Sequence, residues 1–475
     1  MPNPRRHTFR VIILLVTLFA CVRANADNMD IFLRNPITQH ANIGISIVNL
    51  TTGQSVASYR SDNLIPPASV IKLLTTATAL EVLGSDYCFP TVLEYSGTVS
   101  EGTLRGDLYI HGYGDPMLGS GSQTFLAEWV RAVKAAGITE IEGRIIADMS
   151  FFDGDALNPG WLYEDAGNYY APGIFALAYM DNTLNVQLRS GPIGSVAQVI
   201  RTIPAIEGLT FENHIRCTQI DYDGAYVHGL PYQQVRYLTG SIPSNHGLFG
   251  VQSDIPNPGL LLAQHFTSTL RRMGVSVSEE ASYLSETDRT RRTELHRHMS
   301  PPLAYIVKKT NMKSVNLYAE MLFRVLGTRI NVPGTIHNSD TFIHNYWRNR
   351  AVDISSAILK DGCGLAPQDG ISADSFVQLL QYMDRSPERD AFYASLPVSG
   401  KSGTLTGFLA GTPLEGRVHA KSGTIGGTKN FAGYIEMPDG RRFAFAILVN
   451  SAQGKARHIQ PIIARYLLDV YKSNL

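Results

Sequence analysis

One serine of this sequence carries a lysine three residues further on, in the tetrapeptide Ser69-Val70-Ile71-Lys72. A proline pair precedes it and apolar residues recur after it, which predicts a helix that starts near Ser69 and stops at Gly84. Positions i and i+3 lie on one face of a helix. A desolvated lysine at the second position can remove the serine proton and create a nucleophile. A lone Ser-x-x-Lys is more often a helix cap beside a solvated lysine, so the motif needs support.

Ser-x-Asn occurs twice, as Ser61-Asp62-Asn63 and as Ser314-Val315-Asn316. The first lies eight residues before Ser69, and so short a tether hardly allows it to form a separate wall of a cleft. The second stands at the start of a helix predicted over residues 315–325. A hydroxyl there can relay a proton, and an amide can hold a substrate carbonyl. Either motif alone is typical of a cap or turn.

Lys-Ser-Gly also occurs twice, as Lys401-Ser402-Gly403 and as Lys421-Ser422-Gly423. Prolines and glycines, which interrupt strands, surround the first. The second ends a short predicted strand, continues into Thr424 and precedes two more predicted strands. The edge of a strand offers free N–H and C=O groups to an extended peptide, and a glycine allows a ligand to approach the backbone. We therefore select Lys421 rather than Lys401.

In their order, the three motifs resemble those of the active-site-serine penicillin-binding proteins: S-x-x-K, S-x-N and K-[ST]-G. The chain resembles more narrowly the D-alanyl-D-alanine carboxypeptidase/endopeptidases of the peptidase S13 type, which have a long insertion between the first two motifs. Here Ser314 lies 245 residues after Ser69. Ser422 stands where that family commonly has Thr, and Cys363 where it usually has Ser. Further matching segments are Gly114-Asp115-Pro116, Pro159–Asp165, Tyr170-Ala171-Pro172, Asn316–Met321 and Asp361–Leu365.

The resemblance implies an α/β fold with a transpeptidase-like, β-lactamase-like domain: a five-stranded antiparallel sheet with helices on both faces. We place this catalytic domain at residues 27–88 and 290–475. The chain between them is rich in short β-like runs and in glycine and proline, which predicts a β-rich insertion. We assign it to a second domain at residues 89–180 and 236–289. By resemblance, a third domain is nested in it at residues 181–235.

The resemblance also implies the reaction, an acyl transfer to water without a metal or cofactor. Ser69 would attack the bond between two D-alanines, or a D-centred cross-link, in a peptidoglycan stem peptide. Lys72 would be the general base and Ser314 a proton relay. The implied substrate-binding residues are Asn316, Lys421, Ser422, Gly423 and Thr424. β-Lactams would acylate Ser69. Asp165 lies in the insertion within a family-like segment, and our hypothesis is that it contacts a cationic end of the stem peptide.

The balance of charged residues limits the expected partners, and residues 1–26 indicate the cellular compartment. Lys+Arg and Asp+Glu both number 41, which argues against a protein built to bind nucleic acid. A basic stretch, a short apolar run and Ala24-Asn25-Ala26 make residues 1–26 a predicted signal peptide. We therefore expect a periplasmic protein with no stable membrane span, and disfavour lipoprotein anchoring at Cys21. Expected partners are stem peptides and β-lactam antibiotics, and the oligomeric state stays open.

Cysteine count leaves the redox state open. Cleavage after Ala26 would leave Cys88, Cys217 and Cys363, so at least one thiol would be free or intermolecular. A bridge between Cys88 and Cys217 is possible, but spacing alone does not establish it.

Two other functions fit parts of the pattern. A serine β-lactamase shares the three motifs, although such enzymes commonly have one domain and no insertion of this length. A non-catalytic wall-binding relative would retain the fold, but every key side chain is present here. The lifetime of a penicillin adduct separates the first alternative from a penicillin-binding protein.

Overall fold

The computed structural model describes residues 27–152 and 155–473, so the predicted signal peptide lies outside the described residues. In chain order the strands are β1 (Asn42–Asn49), β2 (Ser55–Tyr59), β3 (Pro90–Tyr95), β4 (Thr98–Ser100), β5 (Thr103–Arg105), β6 (Leu108–Gly112), β7 (Glu140–Ile141), β8 (Ile145–Asp148), β9 (Thr183–Arg189), β10 (Gln198–Ile203), β11 (Thr210–Asn213), β12 (Arg216–Thr218), β13 (Gly224–His228), β14 (Val235–Pro243), β15 (Leu248–Asp254), β16 (Ser276–Val277), β17 (Ser282–Leu284), β18 (Thr293–Met299), β19 (Val418–Ile425), β20 (Thr428–Glu436) and β21 (Arg442–Asn450).

The α-helices are α1 (27–33), α2 (Lys72–Leu83), α3 (Phe125–Ala135), α4 (Pro258–Arg272), α5 (Leu303–Lys313), α6 (Asn316–Gly327), α7 (Ile336–Trp347), α8 (Ala373–Met383), α9 (Arg389–Ala394) and α10 (Ala456–Ser473). Short 3-10 helices cover Ala68–Ile71, Met180–Asn182, Thr328–Ile330 and Gly403–Leu405.

The chain divides into two compact units. The first comprises the described residues up to Leu80, Val307–Ser314 and the described residues from His344 onward. The second comprises the described residues of Glu81–Ile306 and Val315–Ile343. The predicted catalytic domain also included residues 81–88, 290–306 and 315–343, which belong to the second unit here. The domain boundaries, including the nested domain at 181–235, stay a prediction.

Five antiparallel strands form the sheet of the first unit, in the order β19-β20-β21-β1-β2. Side chains alternate between the faces of a strand, and Ile45 and Phe445 point to the face that packs with Ile463 of α10. Helix α8 packs on the opposite face, where Tyr434 Oη donates a hydrogen bond to the Leu380 carbonyl at 2.8 Å. The predicted fold class, an antiparallel five-stranded sheet with helices on both faces, is confirmed.

Helix α2 is buried on all sides, since every residue from Lys72 to Leu80 is buried. Its threonines are held by neighbouring helices of the same unit. Trp347 Nε1 donates to Thr78 Oγ1 at 2.9 Å, and Asn311 Nδ2 of α5 donates to Thr76 Oγ1 at 3.2 Å. These hydrogen bonds satisfy polar groups inside the core, and they fix α2 against the helix that leads to Ser314.

The second unit is rich in strands, as predicted for the insertion. Within its described residues the sheets run β17-β8-β6-β3-β18, β16-β7-β5-β4, β10-β9-β15 and β11-β14-β12, with β13 paired to β14. Helix α4 is an element that the sequence analysis missed. Its start has a clear signal: Pro258 opens the helix, and the Asn257 side chain accepts a hydrogen bond from Leu260 N at 2.9 Å.

None of the helices in residues 27–152 and 155–473 is long and apolar enough to cross a membrane. Within the described residues Cys88, Cys217 and Cys363 form no disulfide, so the Cys88–Cys217 bridge is absent. The Cys217 sulfur instead accepts a hydrogen bond from Gly191 N at 3.2 Å.

Candidate active site

Ser69 and Lys72 meet at the start of α2. Lys72 Nζ donates to Ser69 Oγ at 2.8 Å and to the Cys363 carbonyl oxygen at 2.6 Å. The lysine is fully buried. Ser69 stands in the 3-10 turn that precedes α2, and the three-residue spacing brings both side chains to one side of this turn. A buried amine in contact with a hydroxyl is suited to accept the hydroxyl proton.

A strained turn presents Ser69. Ala68, the residue before it, has a φ of +47°, in the left-handed region that residues with a side chain rarely adopt. The turn is held from the sheet by Asn430 of β20, whose Nδ2 donates to the Pro66 carbonyl at 2.9 Å. Strand β19 also approaches closely: a Cβ added to Gly423 would lie 2.6 Å from the Pro67 carbonyl oxygen and 3.1 Å from Ser69 N. The glycine of the third motif is therefore required by contact with the turn.

A carboxylate holds the loop below Lys72. Asp361 accepts backbone hydrogen bonds from Cys363 at 3.0 Å, Leu365 at 2.9 Å and Ala366 at 2.7 Å, and one from Gly364. This arrangement sets the Cys363 carbonyl toward Lys72. Cys363 itself is fully buried, and its sulfur lies 3.6 Å from the Asp361 carboxylate. This segment was predicted to matter only through its resemblance to the family, and its own sequence signal is an aspartate followed by a glycine-rich turn.

Ser314 lies directly after α5, with a φ of +58°. A residue in the left-handed conformation commonly ends a helix, although glycine is the usual choice. Lys421 Nζ donates to Ser314 Oγ at 2.9 Å and to the Ser422 carbonyl at 2.7 Å. The second Ser-x-Asn serine and the second Lys-Ser-Gly lysine are thus in direct contact, although 107 residues separate them in the chain.

The other Ser-x-Asn has a different place in the first unit. Ser61 Oγ donates to the Asp374 carboxylate at 2.7 Å, and the Ser61 carbonyl accepts from Asp374 N at 2.9 Å. These bonds hold the start of α8. The motif at Ser61 is therefore explained by helix docking.

Three lysines of this site, Lys72, Lys421 and Lys429, lie close enough for their charges to interact. Burial lowers the pKa of Lys421 well below its usual value, and the positive charges of Lys72 and Lys429 lower it further. Burial also lowers the pKa of Lys429 to about 8. Because their positive charges repel each other, Lys421 and Lys429 titrate together, and the environment disfavours a positive charge on both at once.

The free edge of β19 lies next to these side chains. Residues 397–399 pair with Val418–Ala420: Ser399 N donates to Val418 O and Ala420 N to Pro397 O, both at 2.9 Å. In the described part of the chain this backbone pairing ends at Ala420. The following residues, Ser422 to Thr424, therefore offer an edge to an extended peptide.

The hydroxyls of β19 have side-chain partners that the sequence analysis did not identify. Ser422 Oγ donates to Thr404 Oγ1 at 2.9 Å, and Lys429 Nζ donates to Thr424 Oγ1 at 2.9 Å. Lys429 lies opposite Thr424 in the antiparallel register between β19 and β20. The pairing register of β19 with β20 could have identified Lys429, but this register cannot be predicted from the motif itself.

Asn316 and Asp165 belong to the second unit, where both contact Tyr170. Asn316 Nδ2 donates to the Tyr170 carbonyl at 2.7 Å. Tyr170 Oη donates to the Asp165 carboxylate at 2.9 Å. Burial raises the pKa of Asp165, and the hydrogen bond from Tyr170 partly opposes that shift. Tyr170 thus joins the amide of the second motif to the predicted acidic contact.

Comparison with known proteins supports the resemblance. A profile of the D-Ala-D-Ala carboxypeptidase 3 (S13) family matches residues 25–467. The chain is 30% identical over 445 residues to the D-alanyl-D-alanine carboxypeptidase of Actinomadura sp. (strain R39), covering 90% of this chain and 81% of the relative. It is 25% identical over 440 residues to the D-alanyl-D-alanine carboxypeptidase DacB of Haemophilus influenzae, covering 90% of this chain and 88% of the relative.

The fold has a matching solved structure. The crystal structure of penicillin binding protein 4 (dacB) from Haemophilus influenzae superposes with a TM-score of 0.81 at 22% identity, over 95% of this chain and 99% of that one. This likeness shows a shared fold, and the family profile extends over nearly the whole sequence. The resemblance drawn from the motifs is confirmed: the chain belongs to the D-Ala-D-Ala carboxypeptidase 3 (S13) family of peptidases.

Proposed function

We propose that this protein is a serine-type D-Ala-D-Ala carboxypeptidase and/or DD-endopeptidase that hydrolyses peptidoglycan stem peptides through a Ser69 acyl-enzyme. The observation that carries the proposal is the paired contact in the first unit: Lys72 Nζ on Ser69 Oγ at 2.8 Å and Lys421 Nζ on Ser314 Oγ at 2.9 Å. Family membership and the D-alanyl-D-alanine carboxypeptidase relatives support the same reaction.

Acylation begins at Ser69. Neutral Lys72 takes the Ser69 proton while Oγ bonds to the carbonyl carbon between the two D-alanines. The negative charge on the carbonyl oxygen is stabilised by the backbone N–H groups of Ser69 and Thr424, and such a donor contributes about 2.7–4 kcal/mol. The C–N bond then breaks as Ser314 donates its hydroxyl proton to the leaving amine and takes in its place the proton held by Lys72, so that both groups return to their starting state. Water attacks the resulting ester, one of its protons goes to Ser69 Oγ, and the peptide acid is released.

The substrate-binding roles are those that the family resemblance implies. Asn316 holds the peptide amide, and Lys421 supplies positive charge near Ser314. The Ser422 and Thr424 hydroxyls bind the carboxylate of the leaving residue, and Gly423 allows the peptide to approach β19. In the second unit, Asp165 binds the cationic side chain of the stem peptide, a role supported by its partial burial and its hydrogen bond with Tyr170.

The central test is the site and lifetime of a penicillin adduct. Labelling with a fluorescent penicillin, followed by mass mapping, should place the adduct on Ser69. Ser69→Ala should remove both labelling and release of D-alanine. An adduct on another serine would contradict the assignment, and rapid turnover of the adduct would favour a β-lactamase.

The two Ser-x-Asn motifs provide a matched control. Ser314→Ala should slow D-alanine release strongly, because the leaving amine loses its proton relay. Ser61→Ala should leave the rate of D-alanine release close to wild type, since Ser61 bonds to Asp374 at the start of α8. A reversed result would move the second motif to Ser61.

Asp165 has a separate test. Asp165→Asn should reduce hydrolysis of peptides that carry a free side-chain amine more than it reduces penicillin labelling. Equal loss of both activities, or loss of neither, would refute the contact.

We also propose export to the periplasm, supported by the basic stretch, apolar run and small-residue cleavage site in residues 1–26. The mature protein should begin at Asp27 when it is isolated from a periplasmic extract. A mature chain that begins at lipid-modified Cys21 would instead establish lipoprotein anchoring.

A further inference from the structure

We propose that Lys429 is a specificity-determining residue that pairs with the free carboxylate on the leaving-group side of the scissile bond, so that the enzyme selects peptides with a terminal acid over those with a terminal amide. The inference rests on the proposed function, and it assigns a role to a buried cation that the mechanism above does not use.

Lys429 lies on the same face of the sheet as the hydroxyls of Ser422 and Thr424. Ser422 lies opposite Phe431 and Thr424 opposite Lys429 in the register between β19 and β20. Directly opposed residues of antiparallel strands project from the same face, as do residues two apart. The Lys429 ammonium therefore lies on the same face as the two hydroxyls that are proposed to bind the carboxylate. Its Nζ is 2.9 Å from Thr424 Oγ1, and Thr424 is exposed.

The positive charge of Lys429 also favours a carboxylate beside it. The Lys429 side chain is nine-tenths buried, and within the described residues its ammonium has no carboxylate within 4.0 Å. A buried ammonium without a counter-ion is costly. Lys429 also adds its positive charge to that around Lys421. A substrate carboxylate beside Thr424 relieves both costs, whereas a neutral terminal amide relieves neither.

A purely structural role makes a different prediction. Lys429 Nζ lies 5.1 Å from the centroid of the Phe431 ring, and Phe431 stacks on Phe408 with centroids 4.2 Å apart. If Lys429 only packed against this aromatic pair, its aliphatic stem would suffice. A methionine would then preserve activity toward both acid and amide substrates.

The experiment compares two substrates, an acylated D-Ala-D-Ala peptide and its C-terminal carboxamide. Lys429→Met should lower kcat/KM for the acid by about thirtyfold, the size of one charged hydrogen bond, and for the amide by less than about threefold. Lys429→Arg should keep the preference for the acid, because it restores the charge. Lys401→Met, at an exposed lysine paired with Glu415, is the matched control and should change neither value.

Equal losses on both substrates, or an unchanged acid-to-amide ratio in Lys429→Met, would overturn the inference. Acylation by penicillin and by its methyl ester gives a second ratio that does not depend on deacylation, and it should change in the same direction. A wild-type protein that neither cleaves the acid nor labels at Ser69 would instead show that the proposed function itself is wrong.

Discussion

The two Lys-Ser-Gly segments have the same letters and different surroundings. Lys401 is exposed over 59% of its side chain and pairs with Glu415. Lys421 is fully buried and donates to Ser314. The first segment continues into a 3-10 turn at Gly403–Leu405, whereas the second lies within the edge strand β19. The comparison shows that an identical tripeptide acquires its chemistry from the element that carries it.

The first segment nevertheless supports the second. Its turn supplies Thr404, whose Oγ1 accepts the Ser422 hydroxyl at 2.9 Å. Gly403 packs against α5 just before Ser314, and a Cβ there would lie 2.7 Å from the Met312 carbonyl oxygen. The Lys401 side chain points elsewhere, to Glu415. We therefore interpret the first segment as a brace for the second, with an expendable lysine.

Replacing each of the two lysines by alanine should give the largest difference in acylation rate. Lys421→Ala should lower the second-order rate of penicillin acylation by at least about a hundredfold, or roughly 2.7 kcal/mol, because the charge acts in a water-poor site. Lys401→Ala should remain within about threefold, as expected for an exposed ion pair. If Lys401→Ala is the impaired variant, the third motif has been placed on the wrong element.

The two glycines should fail in different ways. Gly423→Ala should slow acylation by about thirtyfold, because its Cβ would push the Pro67 carbonyl and the Ser69 turn out of position. Gly403→Ala should mainly lower the free energy of unfolding, by about 1–3 kcal/mol, since Gly403 has a φ of +58°.

Thermal unfolding and acylation rates, measured on the same preparations, separate the two glycine effects. Gly407→Ala is the control, since no atom of the described residues lies within 4 Å of an added Cβ there. An acylation defect in Gly407→Ala, or a Gly423→Ala variant with full activity, would contradict the geometry.

The pH dependence sharpens the electrostatic part of the comparison. Lys429 has a pKa of about 8, lowered by burial, so its ammonium is present below that pH and is lost above it. The acid-to-amide ratio of kcat/KM should therefore fall by up to about tenfold between pH 7 and pH 9. Lys421 is coupled to Lys429, but its contribution to acylation affects both substrates and cancels in the ratio. Lys429→Arg should make the ratio independent of pH, and a flat wild-type profile would argue against this role.

The smallest effect should come from the brace. Thr404→Val removes the hydroxyl that accepts from Ser422, and acylation should slow by about fivefold, near 1 kcal/mol. Thr406→Val in the same turn is the control, because Thr406 Oγ1 donates to the nearby Gly403 carbonyl at 2.9 Å, away from Ser422. Equal effects of the two substitutions on acylation would show that the turn acts through general stability rather than through Ser422.

Local spacing predicted the parts of the site that depend on one element. Ser69 and Lys72 are three residues apart, and the proline pair before them predicted that a helix starts near Ser69. The order of the motifs led to the family, and the three strands predicted at and after the second Lys-Ser-Gly are present as β19, β20 and β21. The choice of Lys421 over Lys401 also used local context alone, and its functional outcome stays a prediction.

Long-range register explains what was missed. Lys429 became a candidate only because β20 places it opposite Thr424. Asn430 holds the Pro66 carbonyl from 364 residues away, and Thr404 reaches Ser422 across a turn. None of these residues belongs to a recurring spacing, so no local pattern distinguishes them from ordinary strand or turn residues.

By itself the sequence identified the Ser69–Lys72 pair that we propose as nucleophile and base, the order of the motifs and the class of fold, because each rests on neighbours along the chain. Only the tertiary structure decided which lysines are buried, which hydroxyls they contact and which glycine has no room for a Cβ. Those properties depend on desolvation and on close approach between distant segments: Gly423 against Pro67, Lys421 against Ser314 and Lys429 against Thr424. A pKa or a contact of this kind belongs to the packed arrangement, since the same tripeptide shows a surface ion pair in one place and a buried amine in the other.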